Sequence, residues 1–270
     1  MTVDPTTTMR VSPGSSVSLE SRSTDDHCGW TKEQAVADLE VVKARLDLLQ
    51  QRLAAEGERS VLLVLQAMDA AGKDGTVRSI TSGMNPAGVQ VTSFKAPGGP
   101  EVRHDYLWRV HAALPARGEI GIFNRSHYED VLVVRVKGLA PKSVWSKRYR
   151  QINDFERMLT DEGTTIVKCF LHVSNEEQRR RLQERVDDPE KRWKFRSADL
   201  DDRRLWTKYQ QAYERAIEET STKWAPWHVV PADHNWARNL AVATILLRAL
   251  ERVDPRIPRV HDATAGIVVR

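Results

Sequence analysis

The stretch SVLLVLQAM, residues 60–68, is a nearly continuous apolar run that leads directly into AAGKDGT. Such a run suits a strand buried on both faces of a parallel sheet. Behind the loop, Val77, Ile80 and Met84 have the spacing of one helix face. A strand, a glycine-containing loop and a helix in that order make an anion site, because backbone N–H groups and the helix dipole converge on one spot. Ala70, Ala71, Gly72, Asp74, Gly75 and Thr76 are therefore expected to line a phosphate. Gly72 permits close backbone approach. Lys73 brings a mobile cation, and Thr76 brings a hydroxyl two places later than a standard loop has it.

The loop departs from the usual phosphate-binding pattern in three places. Ala67 stands where Gly is usual, Asp74 replaces the Ser or Thr after the lysine, and Asp69 sits in the middle. Without a hydroxyl after Lys73, Mg²⁺ needs another oxygen ligand, and Asp69 is a candidate because Mg²⁺ favours hard carboxylate oxygen.

The remaining chain alternates β and α segments. VQVTSFKA (89–96), IGIFNRS (120–126), TTIVKCFLHVS (164–174) and WHVVPAD (227–233) read as further strands. Helical patterns run from Thr31, a capping-box residue with Gln34, to Gly57, and over 101–113, 142–159, 176–185 and 236–250. That order implies a parallel five-stranded sheet covered by helices on both faces. Residues 1–25, rich in Thr, Ser, Pro and Asp, are expected to be a disordered tail, with a folded domain over 26–252 and a second tail over 253–270.

Composition excludes several classes. No apolar run approaches the ~18 residues of a membrane span. The N-terminus lacks the pattern of a signal peptide, so a cytoplasmic location is expected. Two cysteines, Cys28 and Cys169, lie far apart without metal-ligand spacing and read as reduced thiols. The net charge of +4 is compatible with a polyanionic partner but does not require one.

Strand three supplies the second group of candidates. FNRSHYED places Asn124 where a metal-linked Asp often closes the strand, followed by Arg125, which could clamp phosphate. Glu129 and Asp130 could restore the missing charge near the strand's carboxyl end. They could equally be acids favoured by a helix N-terminus. After strand two, Asp105 and Arg109, with Tyr106 and Trp108, could hold an acceptor nucleotide. His104 and His111 fall seven apart on one expected helix face and read as packed or solvated rather than zinc-binding. The basic segment 179–204 contains Arg185, Arg192 and Lys194 around a Pro189 break. It is either a solvated helix face or a lid, placed at about 179–210, that neutralises a transferring phosphoryl group. Lys142, Lys147, Arg148 and Arg150 could line a track for a long polyanion.

Five motifs together, QAMDAAGKDGT, SFKAP, HDYLWRVH, FNRSHYEDVL and DDPEKRWKF, resemble the second family of polyphosphate kinases over about residues 30–250. The resemblance implies a P-loop kinase-like three-layer α/β sandwich with a helical lid. It also implies transfer of a phosphoryl group between inorganic polyphosphate and AMP, ADP or ATP with Mg²⁺ or Mn²⁺, without nucleic acid or membrane, by a homodimer or homotetramer. It maps the family's catalytic positions onto Asp69, Lys73, Arg125, Asp130 and Arg185, with Asp69 and Asp130 at the metal. Lys194 matches a recurrent lid cation, and Glu129 a position linked to accepting both AMP and ADP. Two other functions remain compatible with the residues: an ATP-dependent nucleoside monophosphate kinase, and a non-enzymatic polyanion-binding protein.

Overall fold

The computed structural model describes residues 5–258. Its strands are β1 (Ser60–Ala67), β2 (Val89–Ser93), β3 (Ile120–Asn124), β4 (Thr164–His172) and β5 (Trp227–Pro231). They form one sheet in the order β2-β3-β1-β4-β5, every neighbouring pair parallel. All eight residues of β1 are buried, as its unbroken apolar run requires of a central strand. β1 and β3 are neighbours in register through Leu65 and Asn124, so the loop after β1 and the turn after β3 emerge side by side. That is the crevice at the carboxyl ends of the strands where α/β folds bind ligands.

The helices are α1 (Pro5–Met9), α2 (Lys32–Glu56), α3 (Lys73–Thr81), α4 (Trp108–His111), α5 (Val133–Val136), α6 (Lys142–Asp161), α7 (Asn175–Asp187), α8 (Ser197–Arg204), α9 (Trp206–Thr220) and α10 (Asn235–Val253). α10 packs on α2 and α3 on one side of the sheet, while α6 packs on β4 and α9 on the other. The expected α/β sandwich is thus present. α2 begins and ends where its caps dictate. The Thr31 side chain accepts from Gln34 N, the Gln34 side chain accepts from Thr31 N, and Gly57 closes the helix at φ +68°.

Two expectations are corrected. Residues 1–25 do not form a disordered tail where they are described. Met9, Val11, Val17 and Leu19 are buried in the core. Val11 N donates to Trp227 O at 2.8 Å, and Arg10 bridges His228 antiparallel, so this strap covers the outer edge of β5. Its later amides are satisfied by side chains, Val17 N by Glu218 and Leu19 N by Glu214 at 2.8 Å each. An extended strap needs only scattered anchors and shows no apolar period, so its polar composition conceals it. The expected helix over 101–113 is also broken. Asp105 Oδ1 accepts from Leu107 N at 2.9 Å, a local turn that competes with helix and leaves only α4. His104 therefore stacks on Trp108 while His111 packs edge-on against Phe155, and the two share no helix face. Residues 259–270 of the expected C-terminal tail lie outside the described residues.

Candidate active site

The loop after β1 is built around two positive φ angles, +62° at Ala70 and +99° at Gly72. Gly72 is required for a second reason. A Cβ there would lie 2.1 Å from Arg238 Nη1, and that guanidinium cannot yield, because it is held by Ala71 O, Asn235 Oδ1 and Asn239 Oδ1. Arg181 braces the loop from the other side, donating to Ala70 O at 3.1 Å and to the carbonyls of Ala232 and Asp233 at 2.8 Å. Gln178 donates to Asp69 O at 3.0 Å. Three loop carbonyls are thus occupied from behind by α7 and α10, which fixes the loop backbone. The sequence reading missed this support. Arg181 was merged into the RRR charge run, and Arg238 lies in a helix whose pattern speaks only of core.

Lys73 opens α3 and is buried, with Nζ donating to Ala67 O at 3.0 Å. Burial, followed by the repulsion of Arg125, pushes its ammonium down to about 8. Asp69 forms an ion pair with Arg125, which also reaches Glu129 at 3.4 Å. Arg125 sits at φ +63°, a strained setting for a non-glycine residue, and turns the chain immediately after β3. Burial opposes ionisation of Asp69, but Arg125, Lys73, Arg185 and Arg196 outweigh it and hold the carboxyl below its usual range. Burial also opposes the Arg125 charge, and Glu129 and Asp69 outweigh it in turn. With its amide turned to donate to Glu129 Oε1 at 3.0 Å and to accept from Ser126, the buried Gln66 also ties β1 to this turn.

The segment expected to form a lid contributes two of those cations. Arg185 of α7 lies 3.7 Å from Asp199 of α8, and Arg203 ties α8 back to Asn175 of α7 at 2.6 Å. Arg196, just ahead of α8, acts on both Asp69 and Asp199. Lys194, the expected lid cation, instead has its ammonium 5.2 Å over the ring of the exposed Trp193. Arg196 lies one residue beyond KRWKF, so the motif by itself does not single it out.

The other candidates divide between site and scaffold. Asp74 Oδ1 accepts from Asn124 Nδ2 at 2.6 Å, so the two departures from the standard motif satisfy each other. Thr76 Oγ1 is directed to Gly72 O and Asn239 and is buried, so its hydroxyl serves the helix rather than the crevice. Gly75 would meet Arg238 at 3.6 Å, an ordinary contact, so no glycine is required there on steric grounds. Asp130 pairs with Arg148 at 2.8 Å, and Arg148 lies over Tyr106 at 4.7 Å, which takes Arg148 out of any free cationic track. Burial raises the Asp130 carboxyl despite Arg148 and Arg109. Among the described residues no three His, Cys, Asp or Glu side chains cluster to hold a metal by themselves. Beside β2 lies a cleft of about 390 Å³ lined by Phe94, Lys95, Trp108 and Arg109 among others. Arg109 is held there by Lys95 O at 2.7 Å and lies 5.4 Å over Phe94. Asp105 is spent on its own turn.

The chain is similar along nearly its whole length to proteins with this architecture. A family model described as Polyphosphate kinase 2 matches residues 29–258. The AMP/ADP-polyphosphate phosphotransferase of Meiothermus ruber is 56% identical over 262 residues, which cover 96% of this chain and 98% of that protein. The ADP-polyphosphate phosphotransferase of Rhodopseudomonas palustris is 48% identical over 231 residues, 81% of this chain and 80% of that one. The crystal structure of Polyphosphate Kinase 2 from Arthrobacter aurescens TC1 superposes with a TM-score of 0.92 at 45% identity, covering 96% of this chain and 93% of that chain. The five sequence motifs, the parallel sheet with its braced loop, and these matches lead to one assignment: the chain belongs to the polyphosphate kinase 2 family.

Proposed function

We propose that this protein transfers the terminal phosphoryl group of inorganic polyphosphate to AMP and ADP, reversibly. The observation that carries this reading is the convergence of Arg125, Lys73, Arg185 and Arg196, from β3, α3 and the lid, on one ionised loop carboxylate, Asp69. A phosphate chain brings dense negative charge, and a cradle of cations on separate elements matches it without reading a base. The relatives named as polyphosphate phosphotransferases of AMP and ADP support the donor and acceptor class.

The acceptor's phosphate oxygen attacks the terminal phosphorus. One P–O bond forms, the bond to the next phosphate breaks, and the shortened chain leaves with that electron pair. The protein need do little covalent chemistry, so positioning and charge neutralisation carry the rate. Lys73, Arg125, Arg185 and Arg196 neutralise the moving group. The cleft beside β2, within the roughly 300–1,000 Å³ usual for small ligands, is the place for the acceptor, with Arg109 toward its phosphate.

Asp69 fits a divalent cation, because it is ionised and Mg²⁺ needs only one or two carboxylates beside substrate phosphates and water. Asp130 fits less well as a metal ligand, since burial shifts its carboxyl toward the protonated form whereas the cations around Asp69 hold that carboxyl ionised. When bound, Mg²⁺ or Mn²⁺ would supply charge neutralisation on the phosphate oxygens. Free thiols at Cys28 and Cys169 suit a cytosolic setting. Solvent-facing Val41 and Leu48, seven apart on α2, suit assembly into a homodimer or homotetramer, which light scattering would test.

The deciding experiment offers AMP with long-chain polyphosphate and Mg²⁺ in one arm, and AMP with ATP in the other. Both ADP and ATP are expected from the first arm. Turnover confined to the ATP arm would make the protein a nucleoside monophosphate kinase. Binding of polyphosphate without turnover would make it a polyanion-binding protein.

A further inference from the structure

Beneath the crevice, on the opposite side of the β3 turn from the loop, lies a charge pair that phosphoryl transfer does not require. Lys168 of β4 and Glu156 of α6 are both wholly inaccessible to solvent, with Nζ 2.5 Å from Oε2. Glu156 Oε1 accepts from the Tyr128 hydroxyl at 2.7 Å and lies 3.3 Å from His127 Nε2. Lys168 Nζ donates in turn to the Tyr128 oxygen and to Thr220 O, each at 2.8 Å. Its three protons are therefore all used. The same ammonium lies 5.4 Å over Trp227 and 5.3 Å over Tyr128.

A buried pair of this kind is poor at stabilising a fold. Its desolvation cost rivals its attraction, and apolar residues of similar volume serve as well or better. Its placement points elsewhere. His127 and Tyr128 are the first two, buried, residues of a single tight turn, and Glu129 and Asp130 complete it. Ser126 Oγ accepts from Tyr128 N at 3.2 Å, so the turn is fixed at its start as well. With Tyr128 anchored in the core by two charged groups, the two acids that follow have little freedom. Glu129 holds Arg125, and Arg125 holds Asp69.

We propose that Glu156, Lys168 and Tyr128 act as positioning residues, fixing Glu129, Asp130 and, through Glu129, Arg125 against the phosphate loop. The proposal rests on reading that turn as part of the transfer site. The residues touch no substrate and act only through the turn.

Two variants test it. Tyr128→Phe removes one hydroxyl and keeps the ring. Its kcat is expected to fall between about ten- and a hundredfold, as a displacement near 1 Å would produce. The KM for polyphosphate should change less than kcat, because Lys73, Arg185 and Arg196 are untouched and only Arg125 is displaced. The double variant Glu156→Leu with Lys168→Met removes the pair in isosteric fashion. A thermal melt should still show a cooperative fold well above the assay temperature, since the apolar pair relieves desolvation while the Tyr128 hydroxyl and Thr220 carbonyl lose partners. The double variant's kcat should fall in the same range as that of Tyr128→Phe, with the KM for polyphosphate changed less, a split that a merely structural role would not give. In both variants the ratio of AMP to ADP turnover should change, since Glu129 is displaced. A folded Tyr128→Phe protein with the wild-type kcat and acceptor ratio overturns the proposal, whether or not the double variant folds. If the wild type transfers nothing from polyphosphate, the proposed function itself fails and the positioning role falls with it. An active wild type beside an insensitive Tyr128→Phe condemns only the positioning role.

Discussion

Two carboxylates, Asp69 after β1 and Asp130 after β3, each face an arginine at the carboxyl end of the sheet, and their acidities shift in opposite directions. Burial opposes ionisation of both. At Asp69 it is outweighed by Arg125 after β3, Lys73 of α3, Arg185 of α7 and Arg196 ahead of α8, so the carboxyl is held below its usual range. At Asp130 it wins over Arg148 and Arg109, helped by the neighbouring negative charge of Glu129, and the carboxyl moves up. Arginine partners alone do not therefore decide which way a buried acid shifts. What decides it is the balance: four cations outweigh burial at Asp69, whereas burial and the Glu129 charge outweigh Arg148 and Arg109 at Asp130. On that balance we place the phosphate chemistry at Asp69, and Asp130 in the wall that holds the turn and the acceptor side.

The comparison is most exposed to Asp69→Asn. Turnover should fall by about 10³-fold, the order seen when a preorganised charge at a transition state is removed. Arg125 keeps Glu129 as partner in that variant, so a thermal melt should show the fold intact. Steady-state rates close to wild type would reduce Asp69 to an arginine partner and remove the asymmetry between the two acids.

The lid provides the next test. Arg196→Gln should lower kcat by about 10²-fold with polyphosphate as donor, while Lys194→Gln should change it by less than about threefold. Parallel assays of the two purified variants would reverse the assignment if Lys194→Gln were the damaging one. The pair also shows how legibility varied along this chain. β1, α2 with its caps and the parallel sheet were readable, because apolar period and capping chemistry are local signals. The glycine-containing turn between β1 and α3 was readable for the same reason. The residues that give the loop its shape were not. Arg181 and Arg238 lie over a hundred residues away in sequence and reach it only through tertiary packing. The strap over residues 10–25 was hidden by polar composition, and the helix over 101–113 was overestimated because Asp105 forms a turn that apolar spacing cannot reveal. The pairing of Asp74 with Asn124 explains both motif departures at once, yet each alone reads as a lost ligand.

Asp130→Asn should have a smaller effect, about tenfold in kcat/KM for the acceptor, with kcat at saturating nucleotide changed less. The lost partner is Arg148, which retains Asp130 O at 3.1 Å and the Tyr106 ring. Initial rates over a matrix of AMP and polyphosphate concentrations would separate the two parameters. An equal loss in both, as large as that of Asp69→Asn, would move Asp130 into the transfer machinery.

The pH dependence gives the finest discrimination. Lys73 is buried and its ammonium is lowered to about 8, so the free enzyme loses this cation as pH rises past that value. The kcat/KM for polyphosphate should then fall, by about tenfold for each further pH unit. Stability moves in the other direction. Between about 8 and the ordinary lysine value of 10.5 the unfolded chain binds more protons than the folded one, so this group's contribution to folding free energy rises with pH. Falling activity with an undiminished melting temperature therefore marks titration rather than denaturation. Asp69, Glu129 and Asp74 each hold the Lys73 value up, so Glu129→Gln should shift the alkaline limb to lower pH. Asp130 is not among these supports, and Asp130→Asn should leave the limb where it is. If both variants moved it equally, the two regions would act as one electrostatic unit, and the distinction between a charged loop acid and a wall acid would fail.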